Sequence, residues 1–394
     1  MRVGILGGGQ LGAMLASSVA RLGARPVLFD PDREAPARLC VAEHVTAAFD
    51  DVNALRTFCA GCDVVTYERE DLPVEALRAA GRGTRFAPDL TVLEIAQDRA
   101  LEKEFLRREG LACVRHVIVE PGARLDEACV TFGLPAIAKT TRGGYDGKGQ
   151  FFLQRAEDAT SAQAAMPGAA WVLEEPVDIL TEASCIVARS ELEEVTFPVV
   201  ENLHRNHILD RSLVPSRLPE DIKARMGELA LAAARAMNVR GLLAVEFFIA
   251  RPSGADSPID ARSIFINELA PRPHNSGHVF SKACTFGQFD ALARVLLGAP
   301  LGSPIGVPGA FCMGNLLGDV WLAQGRDDSL DLTAWQAFPD VIDVQVYGKR
   351  SPEPRRKMGH FIVHSALAGD ALARAEAFRA ALLEPSSGSP RGRD

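Results

Sequence analysis

Two periodicities alternate along the first quarter of the chain. Short apolar runs bounded by turn residues, RVGIL (2–6), ARPVLFD (24–30), VAEHVTA (41–47) and CDVVTYE (62–68), read as strands. Residues 11–22 and the stretch around 54–59 carry helical spacing, and Gly23 stops the first of these helices. Strands alternating with helices predict βαβ units and a parallel sheet over residues 1–95. Residues 88–110 predict a further helix with Gln97, Asp98, Arg99 and Lys103 on its polar side. Arg99 and Lys103, four apart, read as a solvated charged face until something places a nucleotide nearby.

The middle of the chain is richer in paired strands. LPAIAK (134–139) and QFFL (150–153) flank the loop KTTRGGYDGKGQ (139–150). Glycine lets backbone approach closely, turned N–H groups make an anion-binding concavity, and lysine adds point charge, so the loop has the make-up of a flap over phosphates. A flexible hairpin with solvated lysines has the same make-up, and what stands downstream decides. WVLEEPV (171–177) is a strand running into a proline-stiffened segment, a shape that suits an adenine base held by backbone groups. EASCIVARS (182–190) and EVTFPVVENLH (194–204) read as two paired strands. Residues 219–238 form an amphipathic helix, acidic at its start, with Ile222, Met226, Leu229, Ala233 and Met237 on one side.

Two further strands, GLLAVEFFIA (241–250) and SIFINELA (263–270), are joined by RPSGADSPIDAR. Glu246 interrupts an otherwise apolar strand, where a lone carboxylate is costly to desolvate and needs a cation or a donor. Glu268, beside Asn267, is the matching acid on the second strand, and the pair suits Mg²⁺ bridging ATP phosphates; a pair of edge-exposed acids is the plainer reading. Arg272, His274 and Asn275 follow at once in APRPHNSGH, between prolines and Gly277 that stiffen the loop, where an arginine can orient an anion. At the start of the chain, Gly7 to Gly12 fits G-x-G-x-x-G and Asp30 ends the next strand. On that motif alone a nicotinamide site and any anion-binding strand–turn–helix stand level. From about residue 301 a smaller unit begins, with strands in 311–320, 341–349 and 358–366 and a closing helix over 370–382. Its basic cluster Lys349, Arg350, Arg355, Arg356 and Lys357 has no aromatic interleaving, which favours a small phosphate-bearing substrate. The tail 384–394 is expected to be disordered.

Composition adds limits. The 394 residues are 47% hydrophobic and 24% charged, ordinary for a globular chain of two or three domains, and a formal charge of −8 gives no reason to expect nucleic-acid binding. No run approaches a membrane span and no apolar leader precedes the first strand, so a cytosolic protein with eight reduced cysteines is expected. Cys59 and Cys62 form a CxxC without a second pair, which fits burial better than a zinc or redox site.

Assembled, GGGQLG, TYERE, AQDRALEK, KTTRGGYDGKGQ, EEPV, ENLH, VEFF, NELAPRPHNSGH, GQFD, YGK and RRKMGH resemble the ATP-grasp superfamily, and within it the 5-(carboxyamino)imidazole ribonucleotide synthetases, over nearly the whole chain. The resemblance implies an α/β and α+β architecture: a Rossmann-like pre-ATP-grasp domain (1–95), an ATP-grasp domain (96–300) and a small β-rich domain (301–383). It implies ATP-dependent carboxylation of aminoimidazole ribonucleotide by bicarbonate through carboxyphosphate, with Mg²⁺, in a homodimer. It assigns ATP phosphates to Arg99, Lys139 and Gly144, Tyr145, Asp146, Gly147, Lys148, Gly149 and Gln150. The adenine hinge falls to Glu174, Glu175, Pro176 and Val177, the ribose hydroxyls to Glu182, and further nucleotide contacts to His204 and Asn267. Glu246 and Glu268 are the implied Mg²⁺ ligands. Arg272, His274 and Asn275 are assigned bicarbonate and carboxyphosphate, with Lys349 nearby. Gln10, Leu11 and Glu68 are assigned the substrate's ribose and base, and Tyr347, Lys349, Arg356 and Lys357 its phosphate. Asp71 where the family commonly has Asn, Leu292 where a histidine is usual, and a longer 251–262 loop depart from the pattern away from these positions. Another ATP-grasp ligase, such as the formate-using glycinamide ribonucleotide transformylase, is the nearest alternative; an NAD-dependent oxidoreductase is the alternative of another class.

Overall fold

The computed structural model describes residues 1–144, 147–252 and 258–384. The chain divides into two compact units, one made of residues 1–199, 218–274 and 288–303, the other of 200–217, 275–287 and the described residues from 304 onward.

The first unit opens with the expected parallel sheet, in the order Glu43–Val45, Arg25–Phe29, Arg2–Leu6, Val64–Tyr67. Every residue of Val64–Tyr67 is buried, as a strand covered on both faces requires. The helix Gln10–Arg21 leaves the first strand through the glycine run, and Asp51 caps Val52–Ala60 by accepting the N–H groups of Asn53 and Ala54. The single helix expected over 88–110 is two, Leu90–Ala96 and Arg99–Arg108. Asp98 accepts the Ala100 and Leu101 N–H groups and so starts a new helix where periodicity alone continues the old one.

A second, antiparallel sheet runs His116–Val119, Trp171–Glu174, Ala136–Thr140, Gln150–Leu153. It packs helices Leu125–Phe132 and Ala156–Ala165 over a small core around Trp171, Leu173 and Ala138. The same unit then builds an antiparallel group in the order Ile264–Ala270, Gly241–Ala250, Ile179–Arg189, Glu194–Thr196. Helix Glu220–Ala236 lays Ile222, Met226, Leu229 and Ala233 into its core, the face its periodicity predicts.

The stretch read as one strand over 194–204 is interrupted. Glu194–Thr196 pairs with Ile179–Arg189, and Val200–Arg205 is a separate strand of the second unit; Pro198, which has no N–H to donate, lies between. That unit orders Val200–Arg205, Ile208–Val214, Ala310–Leu317, Lys357–Ser365 and Val341–Val346 antiparallel, with helix Ala368–Leu383 packed on Ala310–Leu317 and Lys357–Ser365. Ile208–Val214 was not anticipated from the sequence. Its buried Asp210 is satisfied by Arg211 and Arg379, so a polar strand sits inside.

All eight cysteines are free, and burial pushes the Cys62 thiol up to about 11, so the CxxC is packing rather than redox chemistry. Among the described residues no helix is long and apolar enough to cross a membrane. The tail 385–394, Tyr145 and Asp146 of the flap, and 253–257 of the long loop lie outside the described residues.

Candidate active site

The flap is rooted in charge. Lys139 is the last residue but one of the strand Ala136–Thr140 and sets its Nζ 2.6 Å from Glu174 Oε2, on the neighbouring strand. Glu174 is buried, and its second oxygen lies 3.3 Å from the Nζ of Lys103. Burial opposes ionisation of Glu174, but the two lysines outweigh it and hold the carboxyl down at about 2. Lys139 Nζ also reaches Asn267 Oδ1 at 3.5 Å. Above this root, Arg99 donates to the carbonyls of Thr140 (3.0 Å) and Gly144 (2.9 Å), and Arg142 donates to Asp98 and Gln97 at 2.7 Å each. Lys148 and Gln150 are exposed, and Gly147 and Gly149 hold positive φ.

Lys103 departs from its expected role. It is not part of a solvated face but fully buried, with Glu102 beside it. Burial works against the Lys103 ammonium, and Glu174 and Glu102 together outweigh it to leave the pKa raised.

After Glu174, the Glu175 N–H donates to the Arg115 carbonyl at 2.9 Å and its carboxylate turns to solvent against Arg115 at 3.0 Å. Pro176 and Val177 are half-buried, and Arg251 N–H fastens the carbonyl of Asp178 at 2.7 Å. Glu182, half-buried, stands opposite Phe248 on the strand that also carries Glu246.

Glu246 and Glu268 are direct cross-strand partners, and the register shifts immediately after them. Glu246 Oε1 meets His274 Nε2 at 2.8 Å. The backbone of His274 is held on both sides by one fully buried glutamine: Gln288 Oε1 accepts its N–H at 2.8 Å and Gln288 Nε2 donates to its carbonyl at 2.7 Å. Arg272 Nε pairs with Glu70 Oε1 at 2.8 Å. Burial opposes the Arg272 charge, and Glu70, Glu268, Glu68 and Glu246 outweigh it; burial, against Arg272, raises the Glu70 carboxyl. Glu70 and Gln288 were missed in the sequence. A second acid in TYERE looks like a surface charge, and a glutamine at a helix start carries no chemistry until its partner is seen.

At the first glycine turn, Gly9 N–H donates to Glu68 Oε1 at 2.8 Å and Gly8 N–H to Asp30 Oδ2 at 2.7 Å. Donors that would hold a dinucleotide's pyrophosphate are thus taken by carboxylates, and two acids beside an anion are repulsive. Gln10 is half-buried and Leu11 buried at the same helix start.

The second unit holds the remaining candidates. Asn275 is buried, and neither its amide oxygen nor its nitrogen has a hydrogen-bond partner among the described residues. His204 sits at a bulge opposite Leu209. Tyr347 OH bonds His360 Nδ1 at 2.9 Å, and His360 stacks on His278 with centroids 4.6 Å apart. Burial depresses His360 to about 3. Lys349 Nζ donates to the Lys357 carbonyl at 2.9 Å, and Arg356 donates to the carbonyls of Arg350 and Ser351 at 2.7 and 2.8 Å, so the basic residues close one loop on itself.

Three family models match in sequence along the chain: a ribonucleotide synthetase preATP-grasp domain over residues 1–97, an ATP-grasp domain over 104–289, and a phosphoribosylaminoimidazole carboxylase C-terminal domain over 312–374. The N5-carboxyaminoimidazole ribonucleotide synthase of Staphylococcus aureus (strain COL) is 34% identical over 362 residues, 92% of each chain. That of Bacillus subtilis (strain 168) is 36% identical over 360 residues, 91% of this chain and 90% of the other. The chain belongs to the N5-carboxyaminoimidazole ribonucleotide synthase family. It has that family's pre-ATP-grasp, ATP-grasp and C-terminal domains. Among solved N5-carboxyaminoimidazole ribonucleotide synthases, the Staphylococcus aureus protein complexed with ADP superposes with a TM-score of 0.86 at 32% identity, covering 96% of each chain. The Aspergillus clavatus protein, in complex with ADP and 5-aminoimidazole ribonucleotide, gives 0.84 at 26% identity over 97% of this chain and 98% of that one.

Proposed function

We propose that this chain carries out the ATP-dependent carboxylation of 5-aminoimidazole ribonucleotide by bicarbonate, releasing ADP and phosphate, as a carbon–nitrogen ligase of purine biosynthesis. Beyond family membership, one arrangement carries the reading: the lysine at the root of the glycine flap reaches Asn267, next to one of two acids paired across neighbouring strands. A nicotinamide site needs neither part.

Bicarbonate oxygen attacks the γ-phosphorus of ATP, the bond to ADP breaks, and carboxyphosphate forms. The exocyclic amine then takes the carboxyl carbon, from carboxyphosphate or from CO₂ released by it, and phosphate leaves as the amine gives up a proton. Arg99, Lys139 and the 144–150 loop supply positive charge and N–H donors to the polyphosphate. The hinge 174–177 presents backbone to adenine, Glu182 accepts from the ribose, and His204 and Asn267 add nucleotide contacts.

Glu246 and Glu268 fit Mg²⁺: they are hard oxygen donors, opposed in register, and Mg²⁺ takes one or two carboxylates plus phosphate oxygens rather than an all-protein cage. When bound, the ion draws charge from the phosphates. Bicarbonate and carboxyphosphate are assigned to Arg272, His274, Asn275 and Lys349. The Glu70 pair and the Gln288 clamp fix Arg272 and His274 before substrate arrives. Gln10, Leu11 and Glu68 are assigned the ribose and base of the second substrate, and Tyr347, Lys349, Arg356 and Lys357 its phosphate. Carboxyphosphate is short-lived in water, so the flap's part is to exclude solvent. Domain limits at 95, 300 and 383 and a homodimer, which rest on the family resemblance, and a cytoplasmic location, which rests on the make-up of the sequence, complete the reading.

Incubation with ¹³C-bicarbonate tests it. A carbamate carbon resonance should appear only when ATP, Mg²⁺ and aminoimidazole ribonucleotide are all present. Turnover of formate with glycinamide ribonucleotide instead would keep the ligase and overturn its substrate.

A further inference from the structure

Helix Arg99–Arg108 places two consecutive ionisable residues, Glu102 and Lys103, inside the protein, each only 1% exposed. Neither has surface left to touch a nucleotide. What they touch is the strand that carries Glu268. Glu102 Oε1 accepts the N–H of Leu269 at 2.6 Å, and Lys103 Nζ donates to the carbonyl of Asn267 at 2.9 Å. The two bonds bracket Glu268 from either side.

The bracket falls where the strand ladder fails. Glu246 stands opposite Glu268, but Phe247 stands opposite Ile266, so Asn267 is the residue left over in a bulge. A bulged residue lacks a cross-strand partner to fix its peptide, and Lys103 supplies the missing donor. The same ammonium lies 3.3 Å from Glu174 Oε1, while Lys139 lies 2.6 Å from Oε2 of that carboxylate and 3.5 Å from Oδ1 of Asn267. Lys103, Glu174, Lys139 and Asn267 therefore form a closed ring. It joins the root of the flap to the start of the adenine hinge and to the strand of the metal acid. Burial pushes the neighbouring Glu102 carboxyl up to about 8, so the ring's two ammonium groups face one ionised carboxylate, Glu174, and keep a surplus positive charge. Of the two lysines only Lys139, with its side chain 10% exposed, reaches out of the interior.

We infer that Glu102 and Lys103 are positioning residues of the nucleotide site: Lys103 sets Lys139 and the ring's surplus charge, and Glu102 sets the backbone that aims Glu268. An apolar residue would serve packing equally well at either position, so burying an ammonium and a carboxyl there is explained by what they hold. The inference rests on the ATP-ligase reading above.

Calorimetric titration with ADP separates the two. In EDTA, Lys103→Met should bind ADP at least tenfold more weakly than wild type, because the ring's surplus charge is gone while Lys139 and Glu174 still neutralise each other. Glu102→Leu should leave metal-free ADP binding within twofold, yet need several times more Mg²⁺ to reach the wild-type affinity. Glu102→Gln, which keeps the acceptor for Leu269, should restore the wild-type Mg²⁺ requirement. Should Lys103→Met not fold, the Leu-against-Gln comparison at Glu102 decides alone. ADP affinity unchanged in folded Lys103→Met, or identical Mg²⁺ curves for the two Glu102 variants, overturns the inference while the wild-type titration still stands for the ligase. A wild type that binds no ADP overturns both.

Discussion

The chain has two glycine-rich turns, and glycine is there for different reasons. At Gly12 and Gly8 of the first turn the reason is space: a Cβ on Gly12 would lie 2.5 Å from the Gly7 carbonyl oxygen, and one on Gly8 would lie 2.6 Å from Cβ of Ala35. At Gly143, at the foot of the flap, the reason is conformation. Gly143 has φ of +75° with nothing within 4 Å of where a Cβ would stand. The first turn is fixed by packing and by the acids that accept its N–H groups; the flap is tied by charge at its root, where Gly143 stands in open space. One sequence pattern thus covers two physical situations, and the one that looks like a dinucleotide motif is the one crowded by carboxylates.

If charge ties the flap, acid should loosen it most. Glu174 is held at about 2 against an ordinary 4.5, so the stability it contributes is present above pH 4.5 and lost as pH falls toward 2. At about 1.4 kcal/mol per pH unit this amounts to on the order of 3 kcal/mol. Urea unfolding of wild type and Glu174→Gln should show a stability gap that narrows by about 2 kcal/mol between pH 5 and 2.5, and a constant gap would mean that Glu174 titrates normally. Packing should come next. Gly12→Ala must push backbone aside, costing about 2 kcal/mol, and a thermal melt should drop by several degrees. The smallest effect should come from Gly143→Ala, where left-handed backbone costs about 1 kcal/mol within the loop. Its melting temperature should stay within a degree of wild type while KM for ATP rises roughly fivefold. Equal melts for the two glycine variants would erase the distinction.

The parallel sheet and the paired acids were legible because both leave local marks. Buried parallel strands are continuous apolar runs, and Glu246 is a single acid in one. The break at Asp98 and the burial of Lys103 were not. A helical face shows that Arg99 and Lys103 are neighbours, but whether that face is wet depends on partners such as the Asn267 carbonyl, 164 residues away. Ile208–Val214 was missed for a related reason: Asp210 inside a strand looks like a turn until Arg379 is seen to neutralise it. Gln288 shows the limit most plainly. Its work is to replace the backbone partners of His274, and no spacing rule marks a side chain that acts on another residue's main chain.

The most direct test of the account is ADP release from Mg·ATP, measured with bicarbonate, with aminoimidazole ribonucleotide, and with both. The account predicts stimulation only when both are present. ATP turnover indifferent to bicarbonate, or absent under every condition, would contradict it.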